Sequence, residues 1–115
     1  MDIEVREREG GVVVKVLVPK IDFSICGGIK NEILALIDNR QCRAMVLDLE
    51  EVSFMDSMSI GALVSLRKAM LNRDGRLVLC SLHPFVQKIL SVVTVNAIFD
   101  VFGNEHEALK SLATG

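Results

Sequence analysis

The chain has 115 residues, with 13 basic and 15 acidic side chains and a formal net charge of −2. This length gives one domain of ordinary size, able to bury a core without metal or disulfide staples. The charges are mixed along the chain, tryptophan and tyrosine are absent, and no basic stripe stands out. The composition therefore argues against a partner that is a nucleic acid.

The apolar segments are too short to cross a bilayer. The run at residues 33–37 is among the longest, whereas a membrane-spanning helix needs about 20 residues. We therefore expect no direct membrane insertion. The first residues lack the basic and apolar regions of a secretory signal, so the expected location is cytoplasmic.

The three cysteines, Cys26, Cys42 and Cys80, contain no C-x-x-C pair and are expected to be free thiols, with Cys80 buried in a strand. The two histidines, His83 and His106, lie far apart and have no metal-ligand spacing. We expect no metal site and no cofactor.

The N-terminal segment predicts a hairpin. Residues 2–8 alternate between apolar and charged side chains, which indicates a half-exposed edge strand whose charges discourage pairing with other chains. A turn at residues 9–11 leads to a stronger strand at residues 12–18, and Pro19 ends that strand.

The first predicted helix runs to about Asn39, with Asp22 or Ser24 as its cap. Two adjacent glycines after Cys26 each weaken a helical first turn by roughly 1 kcal/mol relative to alanine. An alternative prediction is therefore that the two glycines lie in a loose loop and that the helix begins nearer Ile29.

The rest of the chain alternates between strands and helices. The predicted elements are a buried strand at 43–49, a helix from about Ser57 to Asn72 stopped at Asp74-Gly75, a strand from Arg76 to Cys80, a helix opened by His83-Pro84, a strand from Val95 to Val101, and a helix from Glu105 to about Ala113. This order predicts a single α/β domain, residues 1–115, with about four helices and a mixed, mainly parallel sheet.

Asp56 and Ser57 fall at the junction between a predicted strand and a predicted helix. Either side chain can cap the helix by accepting one of its unpaired backbone N–H groups. A second interpretation makes Ser57 an exposed hydroxyl where the helix dipole would tolerate an added phosphate.

The same residues give weak support to catalysis. Ser57 lacks the G-x-S-x-G surroundings of a nucleophile elbow, and no local pattern supplies a general base. An aspartyl phosphoacceptor at Asp48 or Asp56 is conceivable, but a solvated strand-flank position is the simpler expectation for Asp48. A small module that binds a partner, and is not an enzyme, remains the favoured interpretation.

Several stretches of the chain resemble the STAS family of sulfate-transporter and anti-sigma-factor-antagonist domains. The central stretch runs from Val52 through Phe54, Asp56 and Ser57 to Leu63; the others are Ile21-Asp22, Val46–Leu49 and Gly75–Cys80. The resemblance covers essentially the whole chain and implies the fold predicted above.

For a chain of this length, the resemblance implies a bacterial anti-sigma-factor antagonist. Such a protein binds an anti-sigma factor that is also a serine kinase, is released when that kinase phosphorylates it, and is reset by a serine phosphatase. The acceptor carried onto this chain is Ser57, with Ser59 as a competing hydroxyl. The implied partner-binding residues are Asp22, Asp56, Ser57, Met58 and Ser59.

Met58 and Ser59 depart from the family pattern, which has a small residue and often glycine at these positions. This departure favours an alternative within the same fold. The alternative is a constitutive subunit of a membrane lipid-transport ATPase complex, which needs no phosphorylation.

Overall fold

A computed structural model describes residues 2–93 and 99–114, which form a mixed α/β fold with four helices. The elements in chain order are β1 (Ile3–Arg8), β2 (Gly11–Val16), β3 (Lys20–Ile21), α1 (Cys26–Asn39), β4 (Ala44–Asp48), β5 (Phe54–Met55), α2 (Ser57–Leu71), β6 (Arg76–Cys80), α3 (Pro84–Val93), β7 (Val101–Phe102) and α4 (Glu105–Thr114). The predicted fold class is confirmed. Among the described helices, none combines the length and the apolar character that a membrane span requires.

Five strands form the main sheet in the order β1-β2-β4-β6-β7. β1 and β2 pair antiparallel as the predicted hairpin, and the other neighbouring strands pair in parallel. β3 and β5 form a separate parallel pair that the sequence pattern did not predict. A two-residue strand carries too little alternation to recognise, so only its pairing partner defines it.

The central strands are buried on both faces. Their sequences are therefore nearly continuous runs of apolar residues. One hydrophobic cluster joins alternate residues of the sheet to the buried side chains of α1, α2 and α3. A smaller cluster joins the intervening residues to α4; its buried members are Val13, Val46, Val78, Cys80 and Ala108. Cys80 is fully buried at the end of β6, as predicted.

Helix α1 begins at Cys26, and the two glycines that follow lie within it. The predicted cap at Asp22 or Ser24 is therefore wrong, because Ile25 occupies the N-cap position and no side chain caps the helix. The Asp22 carbonyl instead accepts the N–H groups of Ile25 and Cys26 at 3.1 and 2.9 Å. A backbone turn thus leads directly into the helix.

Two strands are shorter than predicted. β2 ends at Val16, two residues early, although the Leu17 N–H still donates to the Asp2 carbonyl at 2.8 Å. The last strand is Val101–Phe102, and Phe99 and Asp100 precede it without regular structure. The rest of the predicted strand, residues 95–98, lies outside the described residues.

The turn after α2 depends on Gly75. A Cβ atom there would lie 2.7 Å from the carbonyl oxygen of Arg43, so no side chain fits without moving the backbone that leads into β4. The preceding residue, Asp74, adopts the left-handed conformation with φ 58°, which aspartate tolerates better than most residues. The helix stop lies where the sequence predicts it.

Asp48, at the end of β4, is only 3% exposed, so the solvated position expected for it is wrong. Its Oδ1 accepts the Glu50 N–H at 2.9 Å, and its carboxyl group hydrogen-bonds that of Glu105 at the start of α4. Burial, together with the second carboxyl group, raises the pKa of Asp48 to about 6. The hydrogen bond from Asp48 and the Arg6 guanidinium, 2.6 Å away, lower the pKa of Glu105. The interaction between the two carboxyl groups therefore joins β4 to α4.

We predict that Asp48→Asn raises the free energy of unfolding at pH 7 and flattens its dependence on pH. A carboxyl group whose pKa is raised on folding stabilises the fold fully below its unfolded value of 3.8 and loses that contribution as pH rises through about 6. The asparagine amide donates to Glu105 without acquiring charge, so the expected gain is about 1–2 kcal/mol. Urea unfolding between about pH 4 and pH 7 measures it.

The exposed Asp2→Asn is the control for loss of one negative charge. The lowered pKa of Glu105 affects the free energy of unfolding in the opposite direction. The stability that this carboxylate contributes at neutral pH is lost as pH falls. Parallel pH profiles for the wild type and Asp48→Asn would contradict the raised pKa of Asp48.

Candidate functional site

Asp56 is the N-cap of α2, with extended backbone at φ −97° and ψ 176°. Its Oδ1 accepts the Ser59 N–H at 2.8 Å, as a capping carboxylate does in a first helical turn. Its Oδ2 accepts the Phe23 N–H at 2.8 Å, from the loop after β3. Hydrogen bonds from Ser59 and Phe23 lower the pKa of Asp56 and hold its carboxyl group in the charged form.

Ser59 lies in the first turn of α2 and is buried, with only 1% of its surface exposed. Its hydroxyl is 2.7 Å from Asp56 Oδ1 and 2.8 Å from the Ile21 carbonyl oxygen. Both neighbours are acceptors, and a hydroxyl has one proton to donate, so the two acceptors share it. Ser59 thus ties the first turn of α2 to β3, and its hydroxyl is not presented at the surface.

Asp22 lies in the same loop, immediately after β3. Its Oδ1 accepts the Ser24 hydroxyl and the Ser24 N–H, at 2.5 and 3.0 Å, and these bonds lower the pKa of Asp22. Lys20 Nζ is 3.9 Å from Asp22 Oδ2. The charge of Asp56 acts on Asp22 in the opposite direction, by raising its pKa. The two ionised aspartates therefore form one local negative region.

Ser57 and Met58 are the exposed residues of the α2 first turn. Ser57 is the first helical residue, and within the described part of the chain its hydroxyl forms no hydrogen bond. The Met58 side chain is 62% exposed. The structure thus brings Asp22, Asp56, Ser57 and Met58 to one surface and places Ser59 below it.

Three phenylalanines lie on segments that adjoin the first turn of α2, and only Phe54 belongs to the STAS-like stretch of the sequence. Phe23, whose N–H binds Asp56, is 72% exposed. Phe54 of β5 stacks on Phe85 of α3, with ring centroids 5.7 Å apart and planes inclined by 17°. Lys20 Nζ lies 5.3 Å from the centroid of Phe54. No local sequence signal reveals this group, because its members come from three separate segments.

The site combines charged, polar and apolar groups at one surface. Both oxygen atoms of Asp56 and the Oδ1 atom of Asp22 accept hydrogen bonds from backbone or hydroxyl donors of the same chain. Within the described residues, no group of three or more side chains could hold a metal ion. The groups open to solvent are one hydroxyl at a helix N-terminus, two carboxylates and two apolar side chains. We name this set, Asp22, Phe23, Asp56, Ser57 and Met58, the junction surface.

Comparison with known proteins gives consistent matches over nearly the whole chain. The sequence model of the STAS domain matches residues 2–108. An anti-sigma F factor antagonist from Paenibacillus polymyxa is 27% identical over 112 residues, which cover 97% of this chain and 95% of that protein. An anti-sigma-B factor antagonist from Listeria monocytogenes is 26% identical over 107 residues, which cover 93% of each chain.

The solved structures include a close likeness in fold. An anti-sigma-factor antagonist (STAS) domain protein from Planctomyces limnophilus has a TM-score of 0.87 and is 26% identical, and the match covers 98% of this chain and 99% of that chain.

We predict opposite sensitivities for the two serines of the first turn. Ser59→Ala leaves the buried Ile21 carbonyl without its hydroxyl donor and should lower the free energy of unfolding by about 1–3 kcal/mol. Ser57→Ala removes an exposed hydroxyl and should change it by less than about 0.5 kcal/mol. Urea unfolding of the two variants side by side measures the difference. Equal stabilities would show that the Ser59 contacts contribute little.

Proposed function

The chain belongs to the STAS family, and on this premise we propose that it is an anti-sigma-factor antagonist whose junction surface binds a serine-kinase anti-sigma factor in the cytoplasm. Phosphorylation of Ser57 releases that partner, and a serine phosphatase resets the protein. Two relatives that match over more than 90% of the chain are named anti-sigma-factor antagonists, which supports the proposed role as an antagonist.

The observation that carries the proposal is the contrast between the two serines. Ser57 is exposed at the first position of α2, whereas Ser59, two residues later, is 1% exposed and hydrogen-bonded. A kinase needs an accessible hydroxyl, so the proposed acceptor is Ser57. Ser59 supports the site from below by fixing the α2 first turn against β3.

A phosphate on Ser57 would add about −1.5 to −2 charge at the N-terminus of α2. The helix dipole and the unpaired N–H groups of the first turn stabilise an anion there, so the fold should persist. The junction surface already carries the ionised Asp56, so the phosphate concentrates negative charge at its centre. A partner packed against Phe23 and Met58 would then face an unpaired, desolvated charge, which is costly to bury.

The exposed Met58 also favours a second candidate, the constitutive subunit of a membrane lipid-transport ATPase complex. A flexible thioether beside the hydroxyl offers an adaptable apolar contact, and its bulk stands in the way of a kinase. In that case the same junction surface would bind a transporter ATPase, and Ser57 would remain unmodified. Because the two candidates differ in their response to charge at Ser57, one experiment separates them.

We predict that wild type and Ser57→Ala capture a kinase-like ATPase from a lysate of the source organism, and that Ser57→Asp does not. An added carboxylate mimics part of the phosphate charge, so binding should fall at least tenfold. Mass spectrometry identifies the bound proteins. Incubation of the purified partner with wild type and ATP should phosphorylate Ser57, and phosphorylation should be lost in Ser57→Ala and kept in Ser59→Ala.

Circular dichroism of Ser57→Asp provides the control, because the fold should be unchanged. A transporter ATPase retained equally by wild type and Ser57→Asp would establish the second candidate. Loss of the folded spectrum in Ser57→Asp would show that the fold itself is sensitive to charge at this position.

We further predict that Phe23→Ala weakens partner binding at least tenfold without lowering the free energy of unfolding. The Phe23 ring is 72% exposed, so its removal costs the fold little, whereas exposed aromatic side chains commonly supply much of the energy of an interface. Leu71→Ala is the matched control: Leu71 is 47% exposed at the C-terminal end of α2, about 21 Å from Ser57 along the helix axis. Isothermal titration with the purified partner compares them, and equal losses would contradict a role for the junction surface.

A further inference from the structure

The two edges of the main sheet differ in length. At one edge lies β7, with two residues; at the other lies β1, with six, and within the described residues nothing pairs with its outer side. An exposed edge of this length presents a row of unpaired backbone groups that can template pairing with another strand. Proteins usually protect such an edge with charge, and β1 carries Glu4, Arg6, Glu7 and Arg8.

The register identifies which backbone groups face outward. The Leu17 N–H donates to the Asp2 carbonyl, and Ile3 is the partner of Val16, so even-numbered residues of β1 exchange hydrogen bonds with β2. The N–H and C=O groups of the intervening residues therefore point away from the sheet. These residues are Ile3, Val5 and Glu7.

A groove lies beside this edge, between β1 and α1, with a volume of about 700 Å³. Its apolar lining comes from Ile3, Val5, Leu17, Ala35 and Leu36. Leu17 is 38% exposed, and Leu36 is half-buried. The outward backbone groups and the apolar side chains thus occupy the same margin of the molecule, so a strand added here would gain both kinds of contact.

The charges of β1 select one register for pairing with itself. If Val5 lies opposite Val5 of a second copy, Glu4 of each copy lies opposite Arg6 of the other. Ile3 of each copy likewise lies opposite Glu7 of the other. The outward residues then face each other as hydrogen-bonded pairs, and each Glu4–Arg6 pair sits at the closer, non-hydrogen-bonded spacing. A shift by one residue either way along each strand places Glu4 opposite Glu4 or Arg6 opposite Arg6 at the axis, although it also forms opposite-charge pairs beside them. The register centred on Val5 is favoured because it contains no like-charge pair.

We propose that the protein forms a two-fold dimer in which β1 pairs antiparallel with β1 of a second copy, centred on Val5. The two sheets become continuous, and the α1 helices lie on the same face beside the axis, where the two grooves meet. The charges on β1, which were expected from the sequence to discourage pairing, act instead as the determinant of its register. A single added strand pair gives a small interface, so the dimer is expected to be weak and to form at high protein concentration.

The test uses two substitutions at one position. Glu7→Pro removes an outward N–H that the hairpin does not use, whereas Glu7→Ala keeps it; both lose the ion pair with Arg40. Sedimentation equilibrium should show a dimer for wild type and Glu7→Ala, and an at least tenfold weaker dimer for Glu7→Pro. Circular dichroism checks that each variant folds.

A charge reversal supplies an independent test. Glu4→Lys replaces each of the two Glu4–Arg6 pairs across the axis with two facing cations and should weaken the dimer at least tenfold, with Glu4→Gln intermediate. A wild type that stays monomeric at 1 mM would overturn the proposal. So would a dimer that is equally tight in Glu7→Pro and Glu7→Ala, or one that Glu4→Lys leaves unchanged.

Discussion

The carboxylate of Asp56 is the contact on which the junction surface depends. It caps α2, accepts the Phe23 N–H from the loop after β3, and lies within hydrogen-bond distance of the buried Ser59 hydroxyl. One side chain therefore fixes the start of the helix and the position of an exposed aromatic residue. Because these donors keep Asp56 charged, its capping role and its contribution to the local negative charge cannot be separated.

Burial assigns different roles to two serines that the sequence presents almost side by side. A hydroxyl can hold structure or be available for chemistry, and the choice depends on what lies beside it. Ser59 faces the Ile21 carbonyl from the small β3–β5 pair, while Ser57 faces solvent. The short parallel pair matters for this reason: it brings an acceptor under the first turn of α2 and leaves the neighbouring hydroxyl outside.

Features encoded by nearby residues were predictable, and features made by distant ones were not. The apolar spacing of α2, the candidate cap at Asp56 and the stop near Gly75 are read within a few positions of the chain. By contrast, the buried Ser59 hydroxyl donates to the carbonyl of Ile21, 38 residues earlier. Asp48 likewise interacts with Glu105 of the last helix. The start of α1 was misplaced because the Asp22 backbone, and not its side chain, leads into the helix.

The aromatic character of the junction surface has a practical consequence. Phe23 belongs to it, and the stacked pair Phe54–Phe85 lies on adjoining segments, in a chain that has five phenylalanines and neither tryptophan nor tyrosine. The protein is therefore almost silent in intrinsic fluorescence. Any indole emission from a complex belongs to the partner, so a partner tryptophan that inserts among these rings would report its own change of environment without background and without a label.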